Sequence, residues 1–315
     1  MHGPGRIIPV MQGSRQAQWI GVLALLACAA LWSLNGPLIK ILQRPDGDSP
    51  GVAGLTIACY RSLIGGFFFL IPAWPRLTAL RRVSPRWIIG SVVTFTLMTA
   101  SFVIATTQTA ASSAIALQYL SPVVVFLLSP LLLGERARLS EGFALVGALA
   151  GLAVIFFGHP PGAAGPLVIA VCSGLGYGAL TVVLRGLRGV EPTVVVALNF
   201  VGSGLLMGAA MLVLPDSQFV VTGKQVAILA LMSVVQFAAP YVLFSWALQR
   251  VEAHKASLIV LLEAILNPLF TFIAVGEAVP TPTLIGGPLI LASVAAWMIV
   301  SWRNARGTPD VVPAA

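Results

Sequence analysis

Charge is the scarcest property of this sequence. Eighteen Lys and Arg and ten Asp and Glu are spread over 315 residues, 9% of the chain, against 58% hydrophobic residues and a mean hydropathy of +0.96. A water-soluble domain carries about a quarter charged residues, so this composition excludes a solvated globular protein. Cysteine is nearly absent: Cys28, Cys59 and Cys172 each fall inside an apolar run, without metal-site spacing or a disulfide framework. Histidine is as rare. His2, His159 and His254 lie outside the apolar runs, and neither an HExxH nor a paired-Asp motif occurs, which leaves a membrane-embedded enzyme without a catalytic constellation. Long polar segments are missing too. Connections such as "RPDGDSPG", "GERARLS", "GHPPGAAG" and "LPDSQFVVTGK" are too short to house a catalytic domain. No stretch has the look of a carbonyl filter or a charged ring, so a channel is disfavoured.

What the chain has in abundance is long apolar runs. An apolar helix needs about 20 residues to cross a bilayer core, and ten such runs occupy residues 19–41, 52–73, 87–107, 112–133, 140–158, 165–184, 193–214, 226–248, 256–275 and 283–302. "LLAC" ending at Cys28 superficially resembles a lipoprotein cleavage site, but the apolar run continues to Ile41, longer than a signal h-region, so it reads as a retained first helix. Ten crossings with the N-terminus inside place fourteen Lys and Arg on the inner side, Arg76, Arg81, Arg82 and Arg86 among them, and only Arg44 and Lys224 outside. That bias predicts a multi-pass protein of the cytoplasmic membrane with both termini cytoplasmic. It also explains the net charge of +8 without a nucleic-acid partner.

An internal repeat sets the architecture. "LSPVVVFLLSPLLLGERA" from Leu120 and "LEAILNPLFTFIAVGEAV" from Leu262 align without a gap at an offset of 142, which superposes Gly134-Glu135 on Gly276-Glu277 and Phe95 on Phe237. Each copy holds five runs, an odd number, so the second enters the membrane in the opposite sense. The fold class is therefore all-α integral membrane: ten transmembrane helices as two inverted five-helix repeats, 19–158 and 165–302. Cytoplasmic tails at 1–18 and 303–315 flank them.

The stretches "LWSLNGPLIK", "YRSLIGG", "LSPVVVFLLSPLLLGER" and "LLEAILNPLFTFIAVGE" together resemble the EamA-type transporters of the drug/metabolite transporter superfamily. The resemblance implies export or exchange of small metabolites through a cavity between the halves, without ATP and without a cofactor. One departure stands out. Where the family's ninth helix reads Leu-Glu-Pro, this chain has Ala264, with Pro268 four residues later, so a kink displaced by about one turn is expected.

Candidate site residues are the polar groups that the apolar runs tolerate. Glu263 is the acid placed well inside a run, roughly 10 Å beyond Ala256, where an acid costs about 2.5–3.5 kcal/mol. Substrate contact, proton coupling, and ties to neighbouring helix groups are all open to it. Arg61, about nine residues into the second run, could grip a carboxylate or phosphate as a fork, or pair between helices. Lys40 is close enough to a span end to snorkel. Trp32, Asn35, Gln118, Tyr119, Tyr177, Asn199, Gln236 and Tyr241 could complete a pocket, or bond between helices. Glu135 and Glu277 read as structural helix-end carboxylates, suited to loop arginines such as Arg136 or Arg138.

The functional expectation is a secondary active transporter of a small metabolite or drug-like compound, working by alternating access, with efflux and proton coupling through Glu263. The alternative is a nucleotide-sugar or phosphate-ester antiporter of the same superfamily, which wants several cations in the cavity. The partners implied are the lipid bilayer, a small-molecule substrate and protons, and no metal is implied. Sequence alone does not read out the oligomeric state.

Overall fold

The computed structural model describes residues 15–45, 47, 49–133, 139–187, 189–214, 218–247, 250–251, 256 and 259–306. Expectations about Glu135, Arg136, Arg138 and His254 lie outside the described residues. The described residues form helices and short connections, with no β-strand among them. The physical reason is that lipid offers backbone amides no partner, and an α-helix satisfies them within one segment.

The helices are α1 (Arg15–Ser33), α2 (Asn35–Gln43), α3 (Gly54–Ala73), α4 (Pro85–Gln108), α5 (Ala111–Gln118), α6 (Ser121–Leu133), α7 (Leu139–Gly158), α8 (Ala164–Leu184), α9 (Pro192–Val213), α10 (Gly223–Leu231), α11 (Ala239–Ala247), α12 (Glu263–Val275) and α13 (Thr281–Arg306). They occupy the ten apolar runs. Eight helical stretches are long and apolar enough to cross a membrane, and Leu145–Gly158 and Glu263–Val275 are shorter apolar helices. The last helix runs to Arg306, so residues 303–306 continue it rather than begin a separate tail.

Four runs are interrupted at mid-length. Pro37 has no N–H to offer the carbonyl four residues back, at Ser33, and there α1 gives way to α2. Pro122 stands in the same relation to Gln118, the last residue of α5. Ahead of Pro240 the chain widens into a π-helical stretch, Met232–Ala238, between α10 and α11. The fourth break overturns the displaced-kink expectation. The chain turns at Leu261–Leu262, the positions equivalent to Tyr119–Leu120, while Pro268 sits inside an unbroken α12. Tight turns make this break without a proline: Leu262 N donates to Ile259 O at 3.1 Å, as Leu120 N does to Leu117 O at 3.2 Å.

Packing pairs the two halves. α3 lies along α9 and α7 along α13, while α4 and α6 pack on α8 as α11 and α12 pack on α1. Exchanging the first five runs for the last five maps this set of partners onto itself, as a two-fold relation requires. The matched residues Phe95 and Phe237 stack on each other at 6.2 Å with their planes 26° apart, and Phe200 lies 4.4 Å from Phe237. Between α7 and α13, Gly151 and Gly286 approach so closely that a Cβ on either would stand 2.5 Å from the other's carbonyl oxygen. These glycines thus serve packing between α7 and α13.

Contacts define two ends of the bundle. At one, Ala53 N donates to Gln218 Oε1 at 2.9 Å, Gln225 Nε2 to Pro50 O at 3.0 Å, and Arg44 to Val275 O at 2.6 Å. At the other, Arg76 pairs with Glu191 at 2.8 Å and Gly21 of α1 abuts Val251. The first is the Lys40 end and the second the Arg76 end. Arg76, Arg81, Arg82, Arg86, Arg185, Arg250 and Arg303 gather at the Arg76 end, whereas Lys40, Arg44 and Lys224 stand at the other.

Candidate functional site

The interrupted helices carry most of the polar side chains singled out from the sequence. Glu263 opens α12, where its carboxylate in the first turn faces the positive end of the helix dipole. Tyr119, at the α5–α6 break, stands within electrostatic reach of that carboxyl. Tyr177 of α8, Tyr241 of α11 and Cys28 of α1 stand within its electrostatic reach. Cys28 also donates from Sγ to Pro240 O at 3.3 Å, meeting the backbone that a proline has loosened. Trp32 sets its ring edge-on to Tyr241 at 5.6 Å and also meets Phe244 at 5.8 Å. Glu263 thus faces a largely aromatic wall drawn from both halves.

Arg61 is enclosed beside this cluster, 1% exposed. Its Nη1 donates to Asn35 Oδ1 at 2.8 Å and its Nη2 to Thr99 Oγ1 at 2.5 Å, while the guanidinium lies 4.2 Å from the centre of the Phe237 ring. Its Nε has no hydrogen-bond partner. The helix break at Leu34 brings Asn35 to this position, so α2, α3, α4 and the π-helical stretch all meet at one buried cation. Gln236 donates to Trp32 O at 3.4 Å and keeps a buried, unpartnered Oε1.

Two candidates are tied elsewhere. Gln118 donates to Ser173 at 2.8 Å, holding α5 to α8, and Asn199 accepts from the Ser91 hydroxyl, holding α9 to α4. Asn267 was not singled out as a site residue. It is fully buried, has no partner on either side-chain head group, and packs where α12 crosses α2 at Gly36. The Asn-Pro pair inside an apolar run is visible in the sequence, but its meeting with Gly36 depends on helix crossing. Thr99, a partner of Arg61, carried no sequence signal beyond ordinary apolar-run composition, and Phe237 carried only its match to Phe95 at the repeat offset.

The pairing expected of Glu277 is corrected by the structure. Glu277 Oε2 lies 2.8 Å from Lys40 Nζ, its Oε1 accepts from Ala111 N at 2.7 Å, and Lys40 also donates to Thr109 O at 2.8 Å. Lys40 therefore does not snorkel to solvent. A carboxylate within its reach and a backbone carbonyl hold it at the end of its helix.

These contacts make the space around Glu263 asymmetric along the bundle. At the Lys40 end, α2 packs against α5 and α12, and the Lys40–Glu277 pair lies across the seam. Toward the Arg76 end, α1 packs with α11 and α6 with α8, and no substantial packing among the described residues joins one pair to the other. Tyr177 remains 41% exposed although it faces this interior cluster. Among the described residues no group of three His, Cys, Asp or Glu is placed to hold a metal.

Comparison with known proteins places this geometry in context. The sequence profile of the EamA-like transporter family matches residues 19–157 and 165–299. The chain is 29% identical over 273 residues to an uncharacterized transporter of Archaeoglobus fulgidus, covering 86% of this chain and 93% of that protein. A solved structure titled "Crystal structure of protein" is similar in fold, with a TM-score of 0.60 and 19% identity over 92% of this chain and 100% of that one.

Proposed function

The chain belongs to the EamA-like transporter family, and from that premise we propose that it moves a small organic molecule across the cytoplasmic membrane by alternating access between two inverted halves. The observation that carries this reading is the asymmetric packing around Glu263: Lys40–Glu277 ties the halves together at the Lys40 end, and no substantial packing among the described residues joins α1–α11 to α6–α8 toward the Arg76 end. On this reading the gap is a crevice between the halves, closed at the Lys40 end and open at the other. Rocking one half against the other would exchange the sealed and open ends around a fixed site. The arginine-rich end is the cytoplasmic one on this reading, so the crevice faces the compartment from which an exporter loads its cargo. Glu263 would carry the coupling proton, since it is the carboxyl inside the crevice and no other described acid reaches it.

The phosphate-ester antiporter reading is less well supported. It needs cations free to meet an anionic substrate, whereas Arg61 is enclosed by Asn35, Thr99 and Phe237 and Lys40 is paired with Glu277.

The test is a thermal-unfolding screen of purified protein against amino acids, nucleosides and cationic drugs, followed by flux measurements on the compounds that stabilise it. A stabilising compound that crosses proteoliposome membranes only when the protein is present supports the reading. Stabilising compounds that never cross would sink it.

A further inference from the structure

The apolar α3 ends at Ala73 and passes directly into a 3-10 helix, Trp74–Arg82, at the Arg76 end. On one side of this junction a basin of about 1110 Å³ is lined by Arg76, Arg81, Arg82, Trp87 and Glu191. On the other side an apolar groove of about 370 Å³ runs along Phe67, Leu70, Ile71 and Trp74. Pro75 borders both spaces. Phe67, Ile71 and Trp74 are about two-thirds exposed, on a helix otherwise packed against α9 and α4. Arg76 is engaged by Glu191, but Arg81 and Arg82 have no ion-pair partner among the described residues. Arg86 lies 5.1 Å over the Trp87 ring, and Trp74 follows the end of the apolar α3 while Trp87 lies in the first turn of α4, helix-end positions that aromatic side chains favour at a membrane interface.

We propose that this junction binds one anionic phospholipid, with the phosphate in the basin against Arg81 and Arg82 and an acyl chain along the Phe67–Ile71–Trp74 groove. Guanidinium forks match the geometry and charge of a phosphodiester, and basic pockets beside membrane helices are suited to anionic head groups. A free phosphate would use the basin and gain nothing from the groove. A zwitterionic lipid would bring its ammonium toward the same arginines. Because Arg76–Glu191 joins the connection after α3 to the connection after α8, a lipid seated here contacts both halves.

The test is native mass spectrometry of the full chain released from nanodiscs of phosphatidylcholine doped with phosphatidylglycerol. The expected result is one retained phosphatidylglycerol per chain, with phosphatidylcholine lost. Arg81→Gln/Arg82→Gln should weaken that retention by roughly tenfold or more, and Arg81→Lys/Arg82→Lys should keep much of it. Inorganic phosphate in large excess should not displace the lipid. Equal retention of the two lipids, undiminished phosphatidylglycerol on the Gln pair, or full displacement by inorganic phosphate would each overturn the proposal. Should the Gln pair fail to fold, the Lys pair and the phosphate competition decide the matter alone.

Discussion

Lys40 Nζ stands 2.8 Å from Glu277 Oε2, and the other oxygen of the same carboxylate accepts from Ala111 N. One acid therefore binds the end of α2, the start of α5 and the turn after α12 together, closing the Lys40 end across the two halves. Both side chains are mostly withdrawn from solvent, at 15% and 23% exposure, so water screens the pair only in part. Removing one partner strands the other. Lys40→Ala and Glu277→Gln should each lower unfolding stability by about 1–3 kcal/mol. The double variant should lose less than the sum of the two, as measured by a thermal-unfolding double-mutant cycle. Strict additivity would show that the pair is not coupled.

Arg61→Ala removes a buried guanidinium and strands Asn35 and Thr99, besides leaving a void beside Phe237. The expected loss is about 2–5 kcal/mol. Arg61→Lys should recover only part of it, because an ammonium cannot reach both acceptors as a planar fork. Thermal unfolding in detergent reads this directly, and a wild-type midpoint for Arg61→Ala would remove Arg61 as the joint between α2, α3 and α4.

The all-helical architecture was legible because lipid leaves helix as the solution for each apolar run, and the ungapped offset of 142 pairs the break at Tyr119–Leu120 with that at Leu261–Leu262. The breaks at Leu34 and Tyr119–Leu120 follow from Pro37 and Pro122. The break at Leu261–Leu262 does not, since Ala264 replaces the proline and the turn persists through backbone bonds alone. Composition likewise marks Glu263 and Arg61 as costly residues, yet nothing local says that Asn35 and Thr99 satisfy Arg61. Lys40 and Glu277 lie 237 positions apart by number, and their meeting depends on helix packing that no short motif encodes.

Orientation is open to direct measurement. With the arginine-rich end in the cytoplasm, single cysteines placed at 46 and 224 should react with an impermeant thiol reagent added to intact cells, and a cysteine at 81 should react only after permeabilisation. Labelling of position 81 in intact cells would invert the assignment.

Glu263→Gln keeps the shape of the side chain and removes its charge, so it should preserve insertion and folding. A transported compound, once found, should then lose its proton-driven accumulation in inside-out vesicles, down to the level of empty vesicles. Full transport by a stable Gln variant, with an unchanged pH profile, would make the carboxyl a packing group.

On the proposed mechanism, one crevice serves both sides of the membrane in turn. Tyr177→Cys, in a chain whose Cys28, Cys59 and Cys172 are replaced by alanine, places a reporter on the exposed wall of that crevice. The measurement is its reaction rate with an impermeant thiol reagent presented from each face of oriented proteoliposomes. Reaction should be fast from the Arg76 end and slow from the Lys40 end, with Glu277→Gln raising the rate from the Lys40 end as it lowers that from the Arg76 end. Reaction from the Arg76 end alone, at a rate unmoved by Glu277→Gln, would contradict the mechanism.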